Sequence, residues 1–228
     1  MISFIALCAV SLTRRAEPAT YLADITAIMR TDWPNNRTIN IVCHGHSVPA
    51  GYFQTPGVNT ADAYPRRLAL RLAHRFSHAV INVIVTAIGG ENSEAGAKRF
   101  ASDVLTHHPD VVTIDYSLND RGIGLERARR AWVDMIQASQ RAHVKVILLT
   151  PTPDQSANLH DPADALNRQA DQVRMLANGF DVALVDSLEA FKTKVRSGTP
   201  LSSLMSQVNH PNRAGHELVA QALDRWFP

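Results

Sequence analysis

The stretch INIVCHGHSVPAG, residues 39–51, joins an apolar run to a short polar segment. Ile39–Cys43 is rich in branched apolar residues and lacks strict polar alternation, which predicts a strand covered on both faces. The tetrapeptide His-Gly-His-Ser at 44–47 follows where that strand would end. In open α/β sheets, ligands bind beyond the carboxyl ends of the strands. This first strand end is therefore a candidate site.

Four more apolar runs of the same kind follow along the chain, and helical patterns separate them. The other predicted strands are Val80–Thr86, Val111–Tyr116, Val144–Thr150 and Val182–Asp186. Apolar residues recur at helical spacing in five stretches: Leu68, Leu72 and Phe76; Ala97, Phe100, Ala101 and Val104; Ala128, Trp132 and Met135; Leu166, Ala170, Val173 and Ala177; Leu218, Ala222 and Trp226. This alternation predicts a five-stranded parallel sheet with right-handed crossovers and helices on both faces.

Composition limits the classes of protein that fit this chain. It has 228 residues, a formal net charge of +2, and 45% hydrophobic against 19% charged residues. This balance is that of a globular protein and disfavours nucleic acid or an anionic membrane as the main partner. Two cysteines exclude a disulfide framework. Three arginines at positions 127, 129 and 130 are interpreted as a solvated helix face.

The N-terminus is the ambiguous part of the chain. Met1–Leu12 is apolar, but its arginines follow the apolar run rather than precede it, and no small-residue cleavage site is evident. We expect residues 1–36 to form a segment and a helix packed on a domain of residues 37–228, with a single domain overall. A cytoplasmic location is the first expectation, and an atypical export signal stays open, with a secreted or periplasmic protein as the alternative.

Polar or small residues also occur at the ends of later strands. Gly89-Gly90 follows the second strand, Asn119 follows the third, and His210 precedes the last helix. Because the carboxyl ends of parallel strands lie at one edge of a sheet, these residues are expected to meet Ser47 there.

These blocks, in this order, resemble the SGNH hydrolases, also called GDSL esterases/lipases, over roughly residues 37–226. The nucleophile block matches Gly45-His46-Ser47, with His46 in place of aspartate, and the glycine block matches residues 89–92. The asparagine block matches residues 117–120, with serine in place of glycine at 117. The histidine block matches residues 207–210, with Gln207 where the family has an aspartate.

The resemblance implies a flavodoxin-like, three-layer α/β/α fold and ester hydrolysis through a serine acyl-enzyme, without a cofactor. Ser47 would be the nucleophile and His210 the general base, because a serine hydroxyl is weakly nucleophilic without an adjacent base. The backbone N–H groups of Ser47 and Gly90 and the side-chain amide of Asn119 would form the oxyanion hole. His216, inside the last helix pattern, is the competing base and is interpreted as structural.

Gln207 is the main departure from the family pattern. One explanation is a Ser–His dyad in which a backbone carbonyl or a water orients the histidine. A second is that another carboxylate reaches the ring, with Asp154 as the first candidate and Asp161 as the second. A third is a weak or lapsed enzyme.

The remaining polar residues of the first block do not predict a metal site. Cys43, His44 and His46 provide two ligands at most on one face of a strand, and metal sites need three or four. His46 is interpreted instead as a hydrogen-bonding residue behind the nucleophile.

The predicted function is hydrolysis of small, short-chain esters such as acetyl esters, including those on carbohydrates. The alternatives are a thioesterase, a phospholipid-type acylhydrolase or an acyltransferase on the same site, or a catalytically silent α/β binding protein. The expected partner is a small ester, and the oligomeric state stays open.

Overall fold

The five predicted strands form one parallel sheet. The computed structural model describes residues 16–228, so the apolar run Met1–Leu12 lies outside the described residues. The strands are β1 (Thr38–Gly45), β2 (Val80–Val85), β3 (Val111–Asp115), β4 (Lys145–Leu149) and β5 (Ala183–Val185). Their order in the sheet is β2-β1-β3-β4-β5. The predicted α/β class, with helices around a parallel five-stranded sheet, is therefore confirmed.

Helices connect and cover these strands. They are α1 (Ala23–Met29), α2 (Ser47–Ala50), α3 (Tyr64–Arg75), α4 (Ser93–Lys98), α5 (Phe100–Asp103), α6 (Leu125–Arg141), α7 (Ala165–Gly179), α8 (Ser187–Arg196) and α9 (Arg213–Asp224). Short 3-10 turns occupy Thr60–Asp62, Leu105–His107, Asn119–Gly122 and Leu201–Leu204. Within residues 16–228, none of these helices combines the length and apolar character needed to cross a membrane.

The core has two apolar layers, one on each face of the sheet. Along β1, Ile41 and Cys43 belong to one cluster of buried side chains, and Val42 belongs to the other. Successive residues of a strand point to opposite faces, so a strand that is apolar at every position separates two cores. Helices α3 and α9 pack in the first layer, and α6 packs in the second. This arrangement explains why the strands lack polar alternation.

Two elements differ from the sequence predictions. Strand β2 is at the edge of the sheet, and Val80 and Val85 are exposed, although the apolar run predicts complete burial. The stripe from Ala97 to Val104 does not form one helix, because Arg99, with φ −103° and ψ 4°, separates α4 from α5. The exposure of β2 follows from its position in the sheet, which local periodicity does not report.

The path of the chain fixes where a site can form. From β1 the chain passes to β2 on one side of it and then to β3 on the other. The carboxyl ends of β1 and β3 thus lie at a topological switch point, where α/β sheets bind ligands. The register pairs Gly45 of β1 with Asp115 of β3. At the other end of the chain, α1 packs into the core through Leu22, Ile25 and Met29; the division at residue 37 stays a prediction.

Candidate active site

Ser47 is the first residue of α2, directly beyond the end of β1. The side chain of His46 caps this helix by accepting a hydrogen bond from the Val48 backbone N–H. Gly51, with φ +91°, ends the helix in a left-handed conformation that favours glycine. The short helix and its two caps therefore fix the backbone on both sides of Ser47.

Ser47 and His210, 163 residues apart in the chain, are in direct contact. The Ser47 Oγ atom is 2.9 Å from Nε2 of His210, and both side chains are buried. This is the distance of a nucleophile and its base. The structure thus brings together the two residues that the sequence analysis placed at opposite ends of the chain.

Two segments that dock against each other hold His210. Residues 205–211, the histidine loop, contact residues 51–59, the tyrosine hairpin. The His210 Nδ1 atom lies 3.1 Å from the Phe53 carbonyl oxygen and 2.8 Å from Nε2 of Gln207. Gln207 is itself anchored to the hairpin, because its Oε1 accepts a hydrogen bond from the Thr55 backbone N–H at 2.9 Å.

The two contacts of Nδ1 require different tautomers of His210. If Nδ1 carries the proton, it donates to the Phe53 carbonyl, and Nε2 is free to accept the Ser47 hydroxyl proton. If Nδ1 is unprotonated, it accepts from the Gln207 amide, and Nε2–H cannot act as a base. In the first arrangement, the Gln207 amide still has acceptors in Thr55 Oγ1 at 3.3 Å and Asn209 Oδ1 at 3.1 Å. In this arrangement the Phe53 carbonyl holds Nδ1–H, and His210 is oriented for proton transfer to Nε2.

Burial lowers the pKa of His210 below its ordinary value; the Phe53 carbonyl raises it in part, and His46 lowers it further. Neutral imidazole is the form that accepts a proton, so the local environment favours the base. Within residues 16–228, no Asp or Glu oxygen lies within 4 Å of a His210 ring nitrogen.

The glycine loop, residues 86–92, follows β2 and begins beside β1. The Ile88 N–H donates to the Gly45 carbonyl at 3.0 Å, which brings the loop to the segment that precedes Ser47. The Glu91 N–H returns to the Ile88 carbonyl, and Gly90 between them has φ +79°. Such a turn favours glycine at this position, because an L side chain is strained there. At Gly89, a Cβ would meet the Tyr52 ring at 2.7 Å, so the loop and the tyrosine hairpin require a glycine there too.

Asn119 begins the turn after β3 and is tied to the glycine loop. Its Nδ2 donates to the Glu91 carbonyl at 2.8 Å, which leaves the second amide hydrogen for another acceptor. Asp120 next to it is buried; its carboxylate accepts hydrogen bonds from the Ser93 N–H and from the Trp132 indole. Burial raises the pKa of Asp120. The geometry indicates a local hydrogen-bonding role for Asp120.

A charged network beneath the glycine loop was missed by the sequence analysis. The Glu91 carboxylate accepts from both Nε and a terminal nitrogen of Arg99, and from the Tyr116 hydroxyl at 2.9 Å. Tyr116 also contacts Nε2 of buried His44, whose pKa burial lowers to about 4. The sequence signal that could have indicated this network is Glu91, a charged residue directly after the glycine pair.

Asp154 and Asp161, the predicted alternatives for orienting His210, have other partners. One oxygen of Asp154 accepts from Arg121 at 2.6 Å and the other from Ser156. Burial raises the pKa of Asp154, but these hydrogen bonds outweigh it and leave the pKa below its usual value. Asp161 accepts from the Ala163 N–H in its own loop. Neither carboxylate reaches the ring; the Phe53 carbonyl takes that place.

His216, the competing base, and the residues considered as metal ligands have structural surroundings. His216 Nδ1 accepts from the Tyr64 N–H, and burial lowers its pKa to about 3, as suits a structural residue. His44 is held by Thr86 and Gly96. Burial raises the pKa of the Cys43 thiol to about 12. Among the described residues, no three His, Cys, Asp or Glu side chains converge as metal ligands would.

Comparisons with known proteins agree with this architecture. An acetylxylan esterase from Geobacillus stearothermophilus is 27% identical over 161 residues, 64% of this chain and 71% of that protein. The solved structure of an acetylxylan esterase from the same organism has a TM-score of 0.72 at 20% identity, over 83% of this chain and 94% of that one. A two-domain esterase active on acetylated mannans has a TM-score of 0.76 at 20% identity, over 94% of this chain and 54% of that one.

The family is shown by a further comparison. The model of the GDSL-like lipase/acylhydrolase family matches residues 43–218, from the end of β1 into α9. This range contains every residue of the site described above. The chain belongs to the GDSL-like lipase/acylhydrolase family and is a carboxylic ester hydrolase.

Proposed function

We propose that this protein is a serine esterase that removes acetyl groups from carbohydrate through an acyl-enzyme on Ser47. The observation that carries the proposal is the 2.9 Å contact between Ser47 Oγ and His210 Nε2 at the carboxyl edge of the sheet. A second support is that both ring nitrogens of His210 have suitable partners without a carboxylate. The site therefore functions as a dyad that the Phe53 carbonyl orients.

In the first half of the reaction, Ser47 Oγ attacks the acyl carbon while its proton moves to His210 Nε2. The negative charge on the carbonyl oxygen is met by the N–H groups of Ser47 and Gly90 and by the free amide hydrogen of Asn119. Each such donor contributes roughly 3 kcal/mol to the transition state. His210 then gives its proton to the leaving alcohol oxygen. In the second half, water takes the place of the alcohol and releases the acid.

The substrate class is proposed from the relatives and from the position of the Tyr52 ring beside the site. The relatives named above are esterases of acetylated xylan and mannan. In this chain, the Tyr52 ring lies against Gly89 and has its centroid 6.0 Å from that of His210. A ring at this position limits the room for a long acyl chain. Esters of acetate and propionate are thus preferred over those of octanoate.

The test is a series of p-nitrophenyl esters from acetyl to dodecanoyl, together with acetylated xylo- and manno-oligosaccharides. We expect kcat/KM to be highest for acetyl or propionyl and acetate to be released from the oligosaccharides. Neighbouring chain lengths should differ modestly, since one methylene contributes about 1 kcal/mol. Values that rise steadily to C8 and beyond would contradict the acyl preference. Oligosaccharides left intact by an enzyme active on p-nitrophenyl acetate would contradict the carbohydrate assignment alone.

A further inference from the structure

A second imidazole contacts the Ser47 hydroxyl. The Nδ1 atom of His46 is 3.3 Å from Ser47 Oγ, and the His46 side chain is fully buried. Its other ring nitrogen, Nε2, lies 3.4 Å from Oδ1 of Asp115, at the end of β3. A continuous line of polar atoms thus joins the Asp115 carboxylate to Ser47. The proposed dyad mechanism assigns no role to it.

The contacts of His46 define its tautomer. The Val48 N–H donates to Nδ1 at 3.3 Å, so Nδ1 presents a lone pair. A neutral imidazole with a lone pair on Nδ1 carries its proton on Nε2, the atom that faces Asp115. Neither His46 Nε2 nor Asp115 Oδ1 makes a hydrogen bond among the described residues, and the 3.4 Å approach between them is an ion-pair contact. The Nε2–H tautomer therefore directs the ring proton toward the carboxyl group that lies 3.4 Å away.

Asp115 is unusually placed for a carboxylate. It is 1% exposed, and within residues 16–228 no Lys or Arg nitrogen lies within 4 Å of it. Its second oxygen accepts from the Tyr64 hydroxyl at 3.2 Å. A buried charge without a cation is costly unless its surroundings are polar. The Asp115 carboxyl group faces the His46 ring, whereas His210 has no carboxylate neighbour within 4 Å among the described residues.

We propose that His46 is a positioning residue for Ser47 and that Asp115 holds it in the required tautomer. With the proton on Nε2, the Nδ1 lone pair accepts from the Val48 N–H and so fixes the start of α2, where Ser47 lies. In the opposite tautomer, Nδ1 carries the proton and faces the Val48 N–H as a second donor. The hydrogen bond that caps α2 is then lost. The proposal deepens the proposed function and rests on Ser47 being the nucleophile.

The first test is Asp115→Asn, assayed on p-nitrophenyl acetate. The introduced amide donates to Nε2 and favours the Nδ1–H tautomer, so we expect kcat to fall roughly 100-fold, as a misplaced reacting group does, with KM little changed. The matched control is Tyr64→Phe, which removes the hydroxyl that donates to Asp115 but keeps the Asp115 carboxyl group; the kcat of this variant should stay within about threefold of the parent. Thermal unfolding of each variant reports on the fold separately.

The second test asks whether Asp115 acts through His46. We expect Asp115→Asn to cause no further loss of kcat in a His46→Asn background, since coupled residues are not additive. An unchanged kcat in Asp115→Asn, or the same fractional loss in both backgrounds, would overturn the proposal. Ser47→Ala in the same series separates the two claims. Activity in that variant refutes the proposed function, while its inactivity beside a normal Asp115→Asn refutes only the positioning role.

A spectroscopic readout does not depend on the variants folding. Nitrogen-15 NMR of the unaltered protein with labelled histidine distinguishes protonated from unprotonated ring nitrogens. We expect His46 to show a protonated Nε2 and an unprotonated Nδ1, and the pattern to reverse in Asp115→Asn. A protonated Nδ1 in the unaltered protein would overturn the proposal.

Discussion

The glycine loop and the histidine loop flank the same serine but are held by different forces. Beneath the glycine loop, the Glu91 carboxylate is bound by the Arg99 guanidinium and the Tyr116 hydroxyl. In the histidine loop, the His210 ring is contacted by the backbone carbonyl of Phe53 and by the neutral amide of Gln207. Charge-assisted hydrogen bonds are about twice as strong as neutral ones. The proposed oxyanion donors are thus held by strong, charge-assisted hydrogen bonds, whereas the orientation of His210 depends on weaker, neutral hydrogen bonds.

The largest loss of activity is expected for substitution of Ser47, the residue that both loops flank. Ser47→Ala removes the atom that attacks the ester and its hydrogen bond with His210, but it leaves the contacts of His210 with Phe53 and Gln207 in place. We expect kcat on p-nitrophenyl acetate to fall by on the order of 10³-fold or more, with unchanged thermal unfolding. A fluorophosphonate probe that labels the parent should no longer label the variant. Turnover close to that of the parent would show that the two loops do not serve this serine.

The next largest loss of activity is expected when the charged network beneath the glycine loop is broken. Arg99→Ala leaves the partly buried Glu91 carboxylate without its cation, so the glycine loop should shift. We expect kcat to fall roughly 100-fold, as for a displacement of about 1 Å of catalytic donors. The matched control is Arg127→Ala, which breaks an exposed arginine–glutamate pair with Glu94 on α4. Equal losses in the two variants would show that the network does not act through the loop.

A smaller effect is expected on the neutral side. Gln207→Asp gives His210 Nδ1–H a charged acceptor and removes the competing amide donor, and Gln207→Asn is the uncharged control of the same size. We expect Gln207→Asp to raise kcat about tenfold, the difference of about 1.4 kcal/mol between a charged and a neutral hydrogen bond. Gln207→Ala should cost tenfold or less, because the amide supplies no charge.

The pH profile checks the same variant independently. In the parent, the pKa of His210 is lowered, so kcat/KM should rise with pH through a value below the ordinary histidine pKa of about 6.5. A carboxylate at 207 favours the charged imidazolium. The acid limb of Gln207→Asp should therefore move to higher pH, even as the plateau rises. A limb that stays in place would show that the new carboxylate does not contact the ring.

The smallest effect is expected for Asp154→Asn. The carboxylate binds Arg121 and Ser156 and does not reach His210. We expect kcat/KM to stay within about twofold and thermal stability to decrease, because hydrogen bonds to a charged group are lost. A loss on the order of 10³-fold with normal folding would establish Asp154 as the acid of a triad. Such a loss would also show that the histidine loop, like the glycine loop, depends on a carboxylate.

The sequence by itself determined the fold class and the order of the site residues. Apolar residues at local spacing define strands and helices, and parallel strands bring the segments that follow them to one edge. Ser47, Gly89-Gly90, Asn119 and His210 could therefore be selected from their positions along the chain. Their mutual order also carried the family resemblance, which the match over residues 43–218 confirms.

Tertiary structure alone decided which groups support these residues. The Phe53 carbonyl meets His210 across 157 positions of the chain, and Asp115 meets His46 through the register of β1 and β3. A backbone carbonyl has no sequence signature, because every residue has one. The sequence shows Asp115 only as an aspartate at the end of a strand. Its contact with His46 becomes evident once the neighbouring strand and the register are known. The burial of β2 was predicted wrongly for the same reason, since position in a sheet depends on the other strands.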